Sequence, residues 1–205
     1  MMKARLLRIA AASALAIAVS AGIAWWQVNN ATSMVQSATK SAVPIGGPFA
    51  MTDQTGKAVT DADYRGKYLL IYFGYTYCPD VCPTELGVMA KALDLLGRQS
   101  DKVQPLFISV DPERDTVAHL KDYVALFHPS LVGLTGTAEQ VRDTARAYRV
   151  YYAKAPQKDG KPEDYLMDHS SFIYLMGPDG GFVGVYPAGT TADRIAQDLG
   201  TRIAG

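Results

Sequence analysis

Residues 68–83 read YLLIYFGYTYCPDVCP, and this stretch decides the fold. It opens with an unbroken apolar run, YLLIYFGY, rich in residues that favour strands. Such a run predicts a central strand buried on both faces, as parallel sheets require. The run ends at two cysteines. Beyond Pro83, which suits a first helical turn, TELGVMAKALDLLGR places apolar residues at Leu86, Met89, Ala90, Leu93 and Leu96. That is helical spacing.

Working outward, residues 46–60 hold two short apolar stretches either side of Asp53-Gln54-Thr55-Gly56, which predicts a hairpin. Residues 103–111, VQPLFISVD, read as a second buried strand. Asp115 and Thr116 offer caps for a helix through Phe127. LVGLTG at 131–136 reads as a short strand or turn, 138–148 as a helix, 150–153 as a strand, and the stretch around 157–162 as a loop. SFIYLM and GFVGVY flank Gly177-Pro178-Asp179-Gly180-Gly181, a hairpin signal. Thr191 or Asp193 starts a last helix. The order predicts an α/β, thioredoxin-like fold: a central mixed sheet flanked by helices, parallel where strands and helices alternate, antiparallel in the closing hairpin. Sites in such sheets gather at the carboxyl ends of strands, where the cysteines fall.

The N-terminus predicts a membrane anchor. Residues 1–8, MMKARLLR, are basic, and residues 9–26 carry no charge, close to the ~20 residues a bilayer span needs. Trp25 and Trp26 close the run where an interfacial aromatic belt would sit, and Lys3, Arg5 and Arg8 should stay in the cytoplasm. The expected layout is a single-pass anchor at 1–26 in the inner (cytoplasmic) membrane, a flexible linker at 27–45, and a domain at 46–205 facing the periplasm. A cleaved signal peptide ending near Val19-Ser20-Ala21 is the alternative. Asn30-Ala31-Thr32 fits the glycosylation sequon, a short pattern that also arises by chance.

Twenty basic side chains balance twenty acidic ones, for a formal net charge of zero. No basic face is implied, which argues against nucleic acid as a partner. The chain has two cysteines, too few and too close for a disulfide scaffold, and so short a loop makes a poor staple. On a helical turn, positions i and i+4 share one face, about 5–6 Å apart at Cβ. A helix N-terminus favours thiolate, which is both nucleophile and metal ligand. Cys78 and Cys82 therefore read as a redox-active dithiol or as metal ligands. Exchange motifs usually have two intervening residues; here there are three. Of the histidines, His119 should face solvent from its helix, and His128 suits a cation at a helix C-terminus. His169, in Asp168-His169-Ser170-Ser171, falls in a loop that the inferred topology sets facing the cysteines. Two thiolates and an imidazole suit copper or zinc. A structural zinc would take four protein ligands, whereas three suit trigonal Cu(I), and a weak oxygen ligand would let the site hold Cu(II).

Three separated motifs, residues 72–83 (YFGYTYCPDVCP), 109–116 (SVDPERDT) and 168–170 (DHS), strongly resemble the Sco/SenC family of copper-binding cytochrome c oxidase assembly proteins, over roughly residues 45–203. The resemblance implies a copper chaperone that helps build the copper A centre of the oxidase's second subunit, by copper delivery, thiol reduction or both. It implies Cu(I) or Cu(II) bound by Cys78, Cys82 and His169, with Asp111 near the site; as a residue before Pro112, Asp111 also reads as a plain turn aspartate. A periplasmic copper donor and a thiol reductant would be further partners. Three rival readings stay open. One is a thiol–disulfide oxidoreductase acting on the cysteines of the apo-oxidase subunit. Another is a membrane-tethered redox sensor. The third is a peroxidase, which would pair its cysteine with a threonine and an arginine; Thr76 is present, and no arginine is evident in these motifs.

Overall fold

The apolar run at 68–74 becomes the strand on which the sheet is built. In chain order the elements are β1 (Ala50–Asp53), β2 (Ala58–Thr60), β3 (Tyr68–Gly74), α1 (Val81–Leu96), β4 (Val103–Ser109), α2 (Val117–Val124), β5 (Val132–Thr135), α3 (Ala138–Ala147), β6 (Tyr152–Pro156), β7 (Tyr165–His169), β8 (Phe172–Met176), β9 (Phe182–Pro187) and α4 (Ala192–Ala204). The computed structural model describes residues 44–156 and 164–205, with Ser20, Gly22, Trp25 and Trp26. The predicted anchor and linker, the glycosylation sequon and the loop around 157–162 fall largely or wholly outside those residues. Among the described residues no helix is long and apolar enough to cross a membrane.

Seven strands form one mixed sheet in the order β2-β1-β5-β4-β3-β8-β9. β3, β4 and β5 run parallel. β8 lies antiparallel to β3 and turns back through β9, as the glycine-rich turn between them predicts. Leu70, Ile71, Tyr72 and Phe73 on β3 are fully buried, as are Leu106, Phe107 and Ile108 on β4. Burying such side chains contributes about 1.5–3 kcal/mol each, which is why the continuous apolar runs take the centre of the sheet. α1 turns Leu86, Met89 and Leu93 inward and packs against α4. Together these elements make the thioredoxin-like layout.

Threonines cap the helix starts, at α2 and α4 as expected and at α3 besides. Thr116 caps α2, Thr137 forms a capping box with Gln140 on α3, and Thr191 caps α4. Asp115 is not a cap; its carboxylate is fully buried and works elsewhere. α3 ends in a Schellman motif, with the Val150 N–H donating to Ala145 O at 2.8 Å and the Arg149 N–H to Arg146 O at 3.1 Å. Arg149 takes the left-handed position at φ 58°, the one positive-φ residue other than glycine among those described. Glycine avoids a cost of roughly 1–2 kcal/mol there.

One strand differs from expectation. Residues 165–167 carry no predicted element and Asp168 and His169 read as loop, yet Tyr165–His169 form β7, paired with β6 in a separate hairpin whose register sets Tyr152 opposite His169. Tyr165 and Met167 are buried while Leu166 and Asp168 are exposed. The alternation is genuine, but too short to stand out against the polar residues around it.

Candidate metal centre

β3 delivers the chain to the site at Gly74. A Cβ there would lie 2.8 Å from Cys82 Sγ, 2.9 Å from the Phe107 ring and 3.0 Å from the Tyr72 ring. Only glycine lets the strand pass this close to the sulfur. Cys78 sits in the turn that follows, its N–H bonded to Tyr75 O. α1 begins at Val81, so the two cysteines do not share a helical face as the spacing first implies. Instead Cys82, in the first helical turn, donates its backbone N–H to Cys78 Sγ at 3.4 Å. Asp80, the N-cap residue, makes no side-chain cap bond. The Cys78 sulfur thus takes the acceptor's place at the positive end of the helix.

His169 arrives from the end of β7. Its Nε2 lies 3.4 Å from Cys82 Sγ, and its Nδ1 lies 3.1 Å from the Ser170 carbonyl. A carbonyl only accepts, so Nδ1 carries the proton and Nε2 presents a lone pair toward the sulfurs. The Tyr72 and Tyr75 rings stand edge-on to the imidazole, at 6.0 and 5.9 Å between centroids. One ligand atom from each of Cys78, Cys82 and His169 lies within 4.8 Å of the other two. Cys82 is fully buried, whereas Cys78 is 9 % exposed. The trio is closed on the Cys82 side and reachable from the Cys78 side.

The sulfurs differ electrostatically. The hydrogen bond from Cys82 holds the Cys78 thiol well below its ordinary range; the N–H groups of Asp80 and Cys82 act the same way, against burial. Cys82 is pushed far up, first by that same bond to Cys78 and then by burial. The pair therefore shares one proton, with Cys78 as thiolate and Cys82 as thiol. Burial, above all, pushes the Tyr72 phenol up as well. Tyr72 stays protonated, with its hydroxyl 4.0 Å from Cys82 Sγ.

Asp111 is buried, and its side chain reaches neither a cysteine nor His169. It binds Arg114 Nε at 2.5 Å and accepts from the Tyr165 hydroxyl at 2.9 Å. The Arg114 guanidinium lies over the rings of Tyr165, Tyr77 and Tyr75 at 3.7, 4.7 and 5.8 Å. Asp111 thus anchors a cation that backs the aromatic wall of the site. Asp115 ties the cysteine turn to β4: it accepts from the hydroxyls of Thr76 and Ser109 at 2.6 Å each and from the Thr76 N–H. The motifs do hold an arginine, contrary to expectation, but a peroxidase pairing is not formed. Thr76 is committed to Asp115 and Arg114 to Asp111.

The other histidines stay apart. His119 is exposed and stacks on Tyr77 at 5.1 Å. His128 accepts from the Ser130 N–H at 3.1 Å, with Nε2 4.0 Å from Asp94. Gly74, Tyr72, Tyr75, Arg114 and Asp115 shape the site without having been assigned a part in it from sequence. Gly74 alone gave a local signal, a glycine inside a strand run, which marks close approach of another group.

The family model for SCO1/SenC matches residues 37–204. The chain is 48% identical to human "Protein SCO1 homolog, mitochondrial" over 161 residues, 78% of this chain and 53% of that one. It spans half to three-fifths of the length of its human, Schizosaccharomyces pombe and Arabidopsis thaliana relatives. Among solved structures, Arabidopsis thaliana ScoI with copper bound superposes at TM-score 0.73 and 46% identity, covering 78% of this chain and 98% of that chain. Bradyrhizobium japonicum ScoI with copper bound superposes at TM-score 0.71 and 51% identity, covering 78% and 99%.

Proposed function

The chain belongs to the SCO1/SenC family, and from that premise we propose that it is a copper chaperone for cytochrome c oxidase. It holds copper through Cys78, Cys82 and His169 and passes it to the copper A centre of the oxidase's second subunit. One observation carries this reading: two sulfurs and an imidazole nitrogen, from the turn after β3, the start of α1 and the end of β7, converge within 4.8 Å. The donor set is soft enough for Cu(I), and three ligands leave room for an incoming one. Cu(II) fits the same residues with a further weak oxygen ligand. Copper-bound relatives at 46% and 51% identity support the choice of metal.

In this reading residues 1–26 anchor the chain in the inner membrane, 27–45 tether it, and the domain at 46–205 works in the periplasm. A periplasmic protein supplies the copper and a thiol reductant keeps the ligands open, because a Cys78–Cys82 disulfide cannot coordinate. Transfer is a ligand exchange: an acceptor thiolate displaces one donor while the others still hold the ion.

A second reading rests on the unequal thiols. The Cys78 thiolate at the surface edge, with Cys82 behind it, could attack a disulfide of the apo-oxidase subunit; Cys82 would then resolve the mixed disulfide, leaving the substrate reduced and the pair oxidised. Oxidase assembly in strains carrying His169→Ala separates the two. Carriage predicts assembly lost in His169→Ala as fully as in either cysteine variant. Assembly that survives His169→Ala but not Cys78→Ser or Cys82→Ser would replace carriage with thiol reduction.

A further inference from the structure

The chain's charges balance overall, yet Arg142, Arg146 and Arg149 gather along α3 and its exit. With Tyr151 and Tyr152 they line an open recess of about 440 Å3. Arg142 is partly met by Glu139 at 3.6 Å and Asp143 at 3.5 Å. Arg146 and Arg149 are exposed and enter no ion pair among the described residues. Arg149 also occupies the Schellman position at φ 58°, where glycine suits the backbone better. Backbone geometry therefore does not account for an arginine there, and its side chain becomes the feature to explain. Tyr151 is 63 % exposed, an amphipathic ring free to cover a partner.

Two residues of this recess, Tyr151 and Tyr152, adjoin the strand that carries His169. The Tyr151 N–H donates to Ser170 Oγ at 3.0 Å, and the Ser170 N–H donates to Tyr151 O at 2.9 Å. The Ser170 carbonyl in turn holds His169 Nδ1. Tyr152 is the direct cross-strand neighbour of His169, so their side chains stand on one face of the hairpin.

We propose that this recess docks an acidic segment of the protein that takes the copper; naming that protein as copper recipient rests on the carrier reading above. Arg146 and Arg149 meet its carboxylates, where the planar guanidinium gives paired, charge-assisted bonds, and Tyr151 packs against the intervening chain. Docking here lays the acceptor beside His169. An anionic membrane surface is the lesser fit: Glu139 and Asp143 stand among the arginines, and a broad anionic face would repel them.

The test uses the full chain in a zwitterionic detergent, a fluorescein-labelled peptide of alternating glutamate and glycine, and the double variant Arg146→Glu, Arg149→Gly. Anisotropy should show the peptide binding the wild type, weakening with salt, and binding the double variant about tenfold or more less tightly. Thermal stability should hold, since glycine suits position 149. Equal peptide affinity in the two proteins would overturn the proposal. So would a loss seen only with phosphatidylglycerol vesicles, which would make the recess a membrane contact. Copper per chain, measured on the same samples, reports on the ligands alone. A wild type that fails to hold copper overturns the carrier reading without touching the docking result.

Discussion

His169 Nε2 lies 3.4 Å from Cys82 Sγ although the two residues are 87 apart in the chain. The contact joins the end of a hairpin strand to the first turn of α1. It exists because the Ser170 carbonyl fixes which ring nitrogen bears the proton and Gly74 lets the sulfur lie against β3.

Proton release on copper binding follows from the unequal thiols. Cys78 is held below its ordinary pKa and Cys82 above it, so near neutrality Cys78 has already lost its proton and Cys82 has not. Binding Cu(I) to both sulfurs should release about one proton per copper, and affinity should fall about tenfold for each pH unit lowered through neutrality. Calorimetry in buffers of differing ionisation enthalpy counts the protons. Two released per copper would mean that Cys78 is an ordinary thiol.

Gly74→Ala should strike the fold and the site together. The added methyl meets Cys82 Sγ, Phe107 and Tyr72 at 3.0 Å or less. Overpacking of this kind costs about 1–3 kcal/mol, and the displaced sulfur should weaken copper binding. Denaturant melts and a copper titration of the variant give both values. Unchanged stability with unchanged affinity would show that the strand does not constrain Cys82.

Asp111→Ala should destabilise the domain while sparing the ligands themselves. It leaves the Arg114 guanidinium, with a side chain 18% exposed, without its carboxylate and the Tyr165 hydroxyl without its acceptor. Removing one partner of a largely buried pair costs roughly 3–5 kcal/mol, a large share of the about 5–15 kcal/mol typical of a domain. Urea unfolding measures it. A loss below about 1 kcal/mol would put the pair in the class of exposed ion pairs.

The sheet and the cysteines were legible in the sequence because their signals are local. The apolar runs at 68–74 and 103–109 specify buried strands, and Thr116 and Thr191 mark helix starts. β7 was not legible, since five residues of alternation in YLMDH are too few to be read against their setting. The Cys78 geometry misled because the spacing mimics a helical turn, whereas the helix starts only at Val81. Gly74 apart, the support around the trio could not be read. That Thr76 reaches Asp115, or that Arg114 lies against Tyr75, depends on contacts between distant segments which no local pattern encodes.

The most direct measurement is copper per chain in the purified, reduced protein and in its Cys78→Ser, Cys82→Ser and His169→Ala variants, with the visible spectrum of the Cu(II) form. Joint ligation predicts one tightly held copper in the wild type, with an intense thiolate-to-Cu(II) band, and its loss when either cysteine is replaced. His169→Ala should weaken the copper and abolish that band. A cysteine variant that keeps one tight copper, or a His169→Ala spectrum identical to wild type, would contradict it.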